Sequence, residues 1–279
     1  MIVDGLKIFL LKMNFIDTHT HLDGPEFDED RDDVVARAKA AGVSRVFIPA
    51  ISLGSLRTVL DTCSKYDGFA YPMIGLHPEE VKADWKEQLD KMKELLDGSL
   101  SSGSGKSKYI AVGEVGLDFY WSREFEAEQL LAFEEQVRWS VETRLPLMIH
   151  CRKAQNEMVK ILRKYQGSLP GGVFHCFTGN GHEAAELLSF GNFCLGIGGV
   201  LTFKKSNLPE TLPENVPLNR IVLETDSPYM APVPMRGKRN ESAFVAYVLE
   251  KLAECYGVGK QTVADATNAN VERVFNLKL

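Results

Sequence analysis

Asp17-Thr18-His19-Thr20-His21 closes a short apolar run near the start of the chain. On a strand, residues i and i+2 point to one face. Asp17, His19 and His21 are therefore expected to face one way, with both imidazoles in reach of one metal site. His-x-His alone is weak evidence, because two half-buried histidines also satisfy it. The other histidines sharpen it. His150 ends Pro146-Leu147-Met148-Ile149-His150, His175 ends Gly172-Val173-Phe174-His175, and His77 follows the apolar run 70–75. Glu114 ends Ile110-Ala111-Val112-Gly113-Glu114, and Asp226 follows Leu223-Glu224-Thr225. Five of the six histidines thus fall at or just past the end of a strand-like run, while His182 sits in a helical pattern and reads as a surface residue.

His19, His21, His150 and His175 offer nitrogen donors, and Glu114 and Asp226 offer carboxylates. That set exceeds the needs of one four-coordinate zinc. It suits two metal ions about 3.5–4 Å apart, bridged by Glu114. Two divalent ions, two carboxylates and a bridging hydroxide leave the site at about +1, which favours an anionic substrate. Arg152, Lys204, Lys205, Arg236, Lys238 and Arg239 lie nearby in the pattern. Basic residues beside a metal centre suit phosphate recognition. Lys204 and Lys205 read equally well as a solvated charge run. Arg152, two residues past His150, is read as functional.

The elements that must position these groups are legible as alternation. Strand-like runs cover 14–18, 45–49, 70–75, 109–114, 145–150, 172–175, 193–197 and 220–225. Helical patterns follow most of them, at 30–41, 53–66, 83–96, 124–143, 154–165 and 181–190, with two more at 241–256 and 260–275. The seventh crossover, after Lys205, is short and Pro-containing, and its helical pattern is the weakest. Such alternation implies βαβ units and a parallel sheet. Eight of them at this length favour a closed (β/α)8 TIM barrel, an α/β fold whose strand ends all open on one face. The Gly/Ser-rich run Asp97–Gly105 reads as a solvated loop. The whole chain, 1–279, is read as one barrel domain, with 1–13 an extension outside it.

Composition narrows the function classes. Of 279 residues 44% are hydrophobic and 25% charged, which excludes a disordered chain. No apolar run approaches the roughly 18 residues of a membrane helix, and Ile8–Leu11 is too short for an export signal. Cys63, Cys151, Cys176, Cys194 and Cys255 are odd in number and scattered, which points to a reducing, cytoplasmic setting. A net charge of −6 argues against bulk electrostatic binding of nucleic acid and leaves room for a local basic patch.

In this order the motifs resemble the TatD family of metal-dependent deoxyribonucleases, a branch of the amidohydrolase-like barrels. The resemblance runs from about Phe15 to Asn276. It is carried by Asp17–Asp23, Gly75-Leu76-His77-Pro78, Gly113–Asp118, His150-Cys151-Arg152, His175–Gly179, Leu223–Pro228 and Arg236–Asn240. It implies a metal shell of His19, His21, Glu114, His150, His175 and Asp226. It also implies hydrolysis of DNA phosphodiesters, often as an exonuclease, with Mg, Mn or Zn. Met235 and Lys153 depart from the residues common beside Arg236 and Arg152, which bears on substrate contacts rather than on the metals.

The expected enzyme is a hydrolase of ester bonds, with catalytic residues Asp226 and Glu114 and two divalent metal ions. A bridging hydroxide attacks phosphorus, and Asp226 accepts the proton and passes it to the leaving alkoxide. His77, Arg152, Arg236 and Lys204 are the expected substrate-binding residues. Glu224 is expected either to orient a metal-binding histidine or to be a buried carboxylate paired with a cation. Asp118 and Tyr120 are open to a substrate role that the sequence does not decide. Asp23 reads as a loop cap, and Cys151 and Cys176 as bystanders. The expected partner is DNA, single-stranded or at its ends, with no membrane and no obligate protein partner. The alternative is an amidohydrolase-type enzyme for a small ester, lactone or amide, for which the basic residues would be pointless. A PHP-type phosphoesterase leaves the Glu114 motif unexplained, and a non-enzymatic scaffold predicts a broken ligand set.

Overall fold

The computed structural model describes residues 13–100 and 108–277. Eight strands alternate with helices: β1 Phe15–Asp17, α1 Arg31–Ala41, β2 Val43–Pro49, α2 Leu56–Lys65, β3 Ala70–Met73, α3 Trp85–Leu100, β4 Val112–Asp118 and α4 Glu126–Thr143. The second half continues with β5 Leu147–Arg152, α5 Gln155–Arg163, β6 Gly172–Phe174, α6 Gly181–Leu188, β7 Phe193–Ile197, α7 Leu208–Asn215, β8 Ile221–Leu223, α8 Val245–Tyr256 and α9 Lys260–Phe275.

All pairings between neighbouring strands are parallel, in the orders β1-β2-β3 and β4-β5-β6-β7-β8. Two bridges close these runs into a ring. Ile74 pairs with Val112 between the third and fourth strands, and Thr20 pairs with Ser227 between the eighth and first. The Thr18 amide also donates to the Leu223 carbonyl at 3.0 Å. The fold is a (β/α)8 barrel. Its strands are apolar on both faces because one face meets the helices and the other fills the barrel.

The filling is a layer of alternate strand residues. Ile16, Phe47, Met73, Met148, Val173, Cys194 and Val222 are buried together with Val271, Val274 and Phe275 of α9. The Phe275 ring meets Phe47 edge-on at 4.9 Å. Two residues further along their strands, on the same inward face, come His150, His175 and Glu224. The apolar plug thus lies directly beneath the polar layer.

Several boundaries differ from the sequence reading. The helix of the third crossover runs to Leu100, so Asp97–Leu100 are helical rather than loop. Ser99 is buried there and its hydroxyl donates to the Leu96 carbonyl at 2.9 Å, which satisfies the one polar side chain that faces inward. The rest of the expected loop, 101–105, and residues 1–12 of the expected extension lie outside the described residues. The seventh crossover does form a helix, α7: Pro209 sits in its first turn, where its missing N–H costs nothing, although Pro213 lies inside the helix. Strand β4 continues past Glu114 to Asp118, which brings a second acidic residue into the barrel mouth.

Gly116 makes that continuation possible. It has φ +147°, and a Cβ there would lie 1.8 Å from the His150 carbonyl oxygen on the paired strand. Gly116→Ala is expected to lower stability by about 3 kcal/mol, because a paired backbone cannot yield as a side-chain tip can. Chemical denaturation followed by circular dichroism measures this. An unchanged midpoint would show that the two strands separate freely.

Candidate metal centre

Glu114 stands at the middle of the polar layer and is 3% exposed. Its two oxygens face different histidines. Oε2 lies 3.2 Å from His19 Nε2 and 3.7 Å from His21 Nε2. Oε1 lies 3.1 Å from His175 Nε2, 3.2 Å from His150 Nδ1 and 3.3 Å from His77 Nε2. Asp226 joins the first side, with Oδ1 3.8 Å from His19 Nε2 and 3.7 Å from His21 Nε2. The His19 and His175 rings stack at 4.0 Å and join the two sides. All six residues expected at the metals therefore converge, although they come from five different strands.

The local backbone explains the convergence. Asp226 has φ 56°, a left-handed conformation that Asp tolerates, and its amide donates to the His19 carbonyl at 2.9 Å. That bond ties the loop after β8 to the chain after β1. Asp17 does not join its two histidines, contrary to the sequence expectation. Strand β1 ends at Asp17, and the carboxylate instead accepts from the Thr225 hydroxyl at 2.7 Å and the Thr225 amide at 2.9 Å. Complete burial pushes this carboxyl up to about 7 against those hydrogen bonds. Asp17 thus clasps the β1–β8 seam beneath the site.

Hydrogen bonds on the far sides of the rings set which nitrogen carries the proton. His150 Nε2 donates to Asp118 Oδ2 at 2.9 Å, which leaves Nδ1 as the lone-pair donor facing Glu114. Gln129 grips the Asp118 backbone from α4, accepting from its amide at 3.0 Å and donating to its carbonyl at 3.2 Å. His175 is the exception: its Nδ1 is paired by charge with Glu224 Oε1 at 3.5 Å without a hydrogen bond, and that oxygen accepts from the Cys176 amide at 2.5 Å. Glu224 faces a histidine of the cluster, and no cation pairs with it among the described residues. His77 differs: its Nδ1 accepts from the Glu79 amide at 3.2 Å, so its Nε2 keeps the proton and points a donor at the cluster.

Burial works against charge throughout this layer, and the neighbours overcome it. The imidazoles of His19, His77 and His175 hold the Glu114 carboxyl well below its usual range. Glu114 and Glu224 in turn raise His175 well above that of a free imidazole. Burial, reinforced by His175, lowers His19, and its Nδ1 is buried without a hydrogen-bond partner.

The donor set fits divalent cations. His19 Nε2 and His21 Nε2 face each other at 3.4 Å with carboxylate oxygens beside them. Buried anionic and lone-pair atoms so arranged need positive charge among them. His19, His21 and Asp226 offer one group of donor atoms within 4.8 Å of each other, and His19, Glu114 and His175 offer another.

The remaining expected residues divide. Arg152 is exposed at the mouth, its guanidinium 3.7 Å from the Tyr120 ring centroid. Arg236 stacks on Phe203 at 4.0 Å, and Lys204 is exposed on the preceding turn. Neither contacts the cluster among the described residues. Arg239 is not available to a phosphate: it is bound to Asp30 Oδ2 at 2.7 Å and the Glu26 carbonyl at 2.5 Å. Asp23 accepts from the Thr58 hydroxyl at 2.9 Å and so ties the first loop to α2. Burial pushes the Cys151 and Cys176 thiols up to about 12, far from the thiolate a metal would need. Asp118 and Glu224 are residues whose roles the sequence left open, and Asp17 is one that it misplaced. For Asp118 the signal existed, since it lies four residues past Glu114 on one strand and so shares its face.

A parallel eight-stranded barrel with histidines and carboxylates at its C-terminal strand ends is built as a metal-dependent hydrolase. The chain matches the family described as TatD related DNase over residues 16–276, and it belongs to that family. It is 35% identical over 261 residues to the uncharacterized metal-dependent hydrolase YabD of Bacillus subtilis, covering 94% of this chain and 98% of the relative. It is 33% identical over 264 residues to the 3'-5' ssDNA/RNA exonuclease TatD of Cronobacter sakazakii, covering 93% and 97%. The crystal structure of YJJV, a TatD homolog from Escherichia coli K12, superimposes with a TM-score of 0.86 at 28% identity, covering 96% of this chain and all of that one. An organophosphorus hydrolase from Deinococcus radiodurans shares the fold, with a TM-score of 0.64 at 16% identity. No helix among the described residues is long and apolar enough to cross a membrane.

Proposed function

We propose that this protein is a two-metal deoxyribonuclease that removes nucleotides from single-stranded DNA or DNA ends. The observation that carries this is the division of Glu114: one oxygen faces His19 and His21, the other His150 and His175. A carboxylate shared in this way suits two cations side by side, with Asp226 completing the first set. The relative named as a single-strand exonuclease supports a nucleic-acid substrate.

His19, His21 and Asp226 would hold one cation, His150 and His175 the other, and Glu114 both. When bound, the cations supply positive charge to the phosphoryl oxygens and acidify the attacking water. The chain's own residues do the rest. Asp226 takes the proton of that water and returns it to the leaving alkoxide. His77 Nε2–H donates to a non-bridging phosphoryl oxygen as charge develops there. Arg152 neutralises phosphate at the mouth, with Arg236 and Lys204 contacting strand further out. Asp118 and Glu224 hold the His150 and His175 rings in their donor orientations.

The test is hydrolysis of end-labelled single-stranded DNA by metal-stripped protein, with Mg, Mn or Zn restored. Metal-dependent laddering from one end is the expected result, and it gives the polarity directly. A protein that binds metal and leaves DNA intact would move the activity to a small ester or amide.

Asp118→Ala provides a narrower check. Without its carboxylate the His150 ring loses its tautomer and its fixed orientation. Metal affinity is expected to fall about 10- to 100-fold, as is usual when a partner behind a ligand is removed. Competition with a chromogenic chelator measures it. Unchanged affinity would show that His150 needs no support.

A further inference from the structure

Eight large hydrophobic side chains are exposed among the described residues, and five of them, Tyr120, Trp121, Tyr229, Met230 and Val233, lie in the loops after β4 and β8. These loops surround the barrel mouth, so the clustering asks for a ligand rather than for chance exposure. Trp121 is 66% exposed and Tyr120 50%. Their rings meet edge-on at 4.8 Å. The Arg152 guanidinium lies over both, 3.7 Å from the Tyr120 centroid and 5.0 Å from that of Trp121.

This group is coupled to the metal centre through one carboxylate. The Tyr120 amide donates to Asp118 Oδ1 at 2.9 Å, while Asp118 Oδ2 holds His150. Beside Trp121 opens a small cleft of about 160 Å³, bounded by Pro78, Val81 and Phe125. Its charged lining is mainly acidic, with Glu79, Asp118 and Glu124 against Lys82, and Ser122 and Gln129 add neutral polar groups. Carboxylates repel a phosphate, but they accept hydrogen bonds from ring N–H and amino groups. A flat, neutral, π-faced group is what this surface takes.

We infer that Tyr120, Trp121 and Arg152 form a stacking platform for an unpaired nucleobase of the strand whose phosphate lies at Glu114; this rests on the nuclease reading above. Aromatic faces and arginine planes bind single-stranded bases without regard to sequence, because every base has a π-face. A paired base cannot lie on them without leaving its duplex, so the platform selects single strands and frayed ends.

The test uses metal-loaded protein and a nuclease-resistant phosphorothioate oligothymidylate, followed by tryptophan emission. Trp139 is buried and Trp85 is half-buried, which makes Trp121 the accessible reporter. Binding is expected to quench emission, and Trp121→Phe should abolish that quenching while raising KM for ordinary oligothymidylate less than Trp121→Ala does, because a phenyl ring still stacks. Trp121→Ala should raise KM about tenfold with kcat little changed. One abasic sugar walked along the strand should raise KM for the wild type at a single position and leave Trp121→Ala unaffected there. Hydrolysis without quenching, with KM unmoved by Trp121→Ala, would overturn the platform and keep the nuclease. Quenching without hydrolysis would overturn the nuclease and keep the platform. Neither signal would overturn both.

Discussion

Asp226→Asn is expected to lower DNA hydrolysis by about a thousandfold while leaving the fold intact. The fold is preserved because Asn, like Asp, tolerates the left-handed backbone at this position. The amide that donates to the His19 carbonyl is untouched, so the β8 loop stays tied to β1. A carboxamide oxygen still offers a lone pair to a cation, but it cannot accept a proton from water at neutral pH. The variant should therefore unfold at the wild-type temperature, fill with metal when metal is in excess, and fail to turn over. Thermal unfolding, metal content and initial rates on end-labelled DNA separate these effects. A rate near that of the wild type would remove Asp226 from the proton path.

Glu114→Ala carries the other large effect. Among the described residues Glu114 is the one carboxylate that faces both histidine sets, with both oxygens within 3.7 Å of their nitrogens. Removing it leaves Asp118 behind His150, Glu224 behind His175 and Asp226 beside His19 and His21, with no carboxylate between the two histidine sets. Metal content is expected to fall from about two ions per chain to less than one, and activity to fall below detection. Glu114→Gln keeps the volume and one carbonyl oxygen, so it distinguishes lost chemistry from a collapsed cavity. It should fold as the wild type does and still bind metal poorly. Full occupancy in Glu114→Gln would show that the carboxylate does not bridge. Elemental analysis after gel filtration reads both variants directly.

The alternation of strands and helices was legible because each strand of a parallel barrel is buried on two faces and each crossover helix on one. Short apolar runs and amphipathic stretches follow from that burial. Boundaries were less legible. Glu114 looked like the end of its strand, because a carboxylate commonly marks the solvent edge, yet β4 runs on to Asp118 in the barrel mouth. The Gly/Ser-rich stretch looked like loop from Asp97 onward, yet the packing of Leu96 and Ser99 carries the helix through Gly98 to Leu100. Gly196 lies near the end of β7 beside Glu224, a packing that the sequence alone does not reveal. A Cβ there would lie 2.1 Å from Glu224 Oε2, so it is the space for that carboxylate.

The sequence by itself determined which residues have the chemistry and that strand ends would present them, because residue type and position along a strand are local properties. His19, His21, Glu114, His150, His175 and Asp226 could all be picked out in this way. Tertiary structure alone decided what each one faces. It divided the histidines between the two oxygens of Glu114, turned Asp17 away to clasp Thr225, and gave Asp118 to His150. It also bound Arg239 to Asp30 and laid Arg152 across Tyr120 and Trp121. The physical reason is that barrel closure brings together strands up to about two hundred residues apart in the chain, as with Asp17 and Thr225. No pattern within a single strand records where its neighbours' side chains will stand.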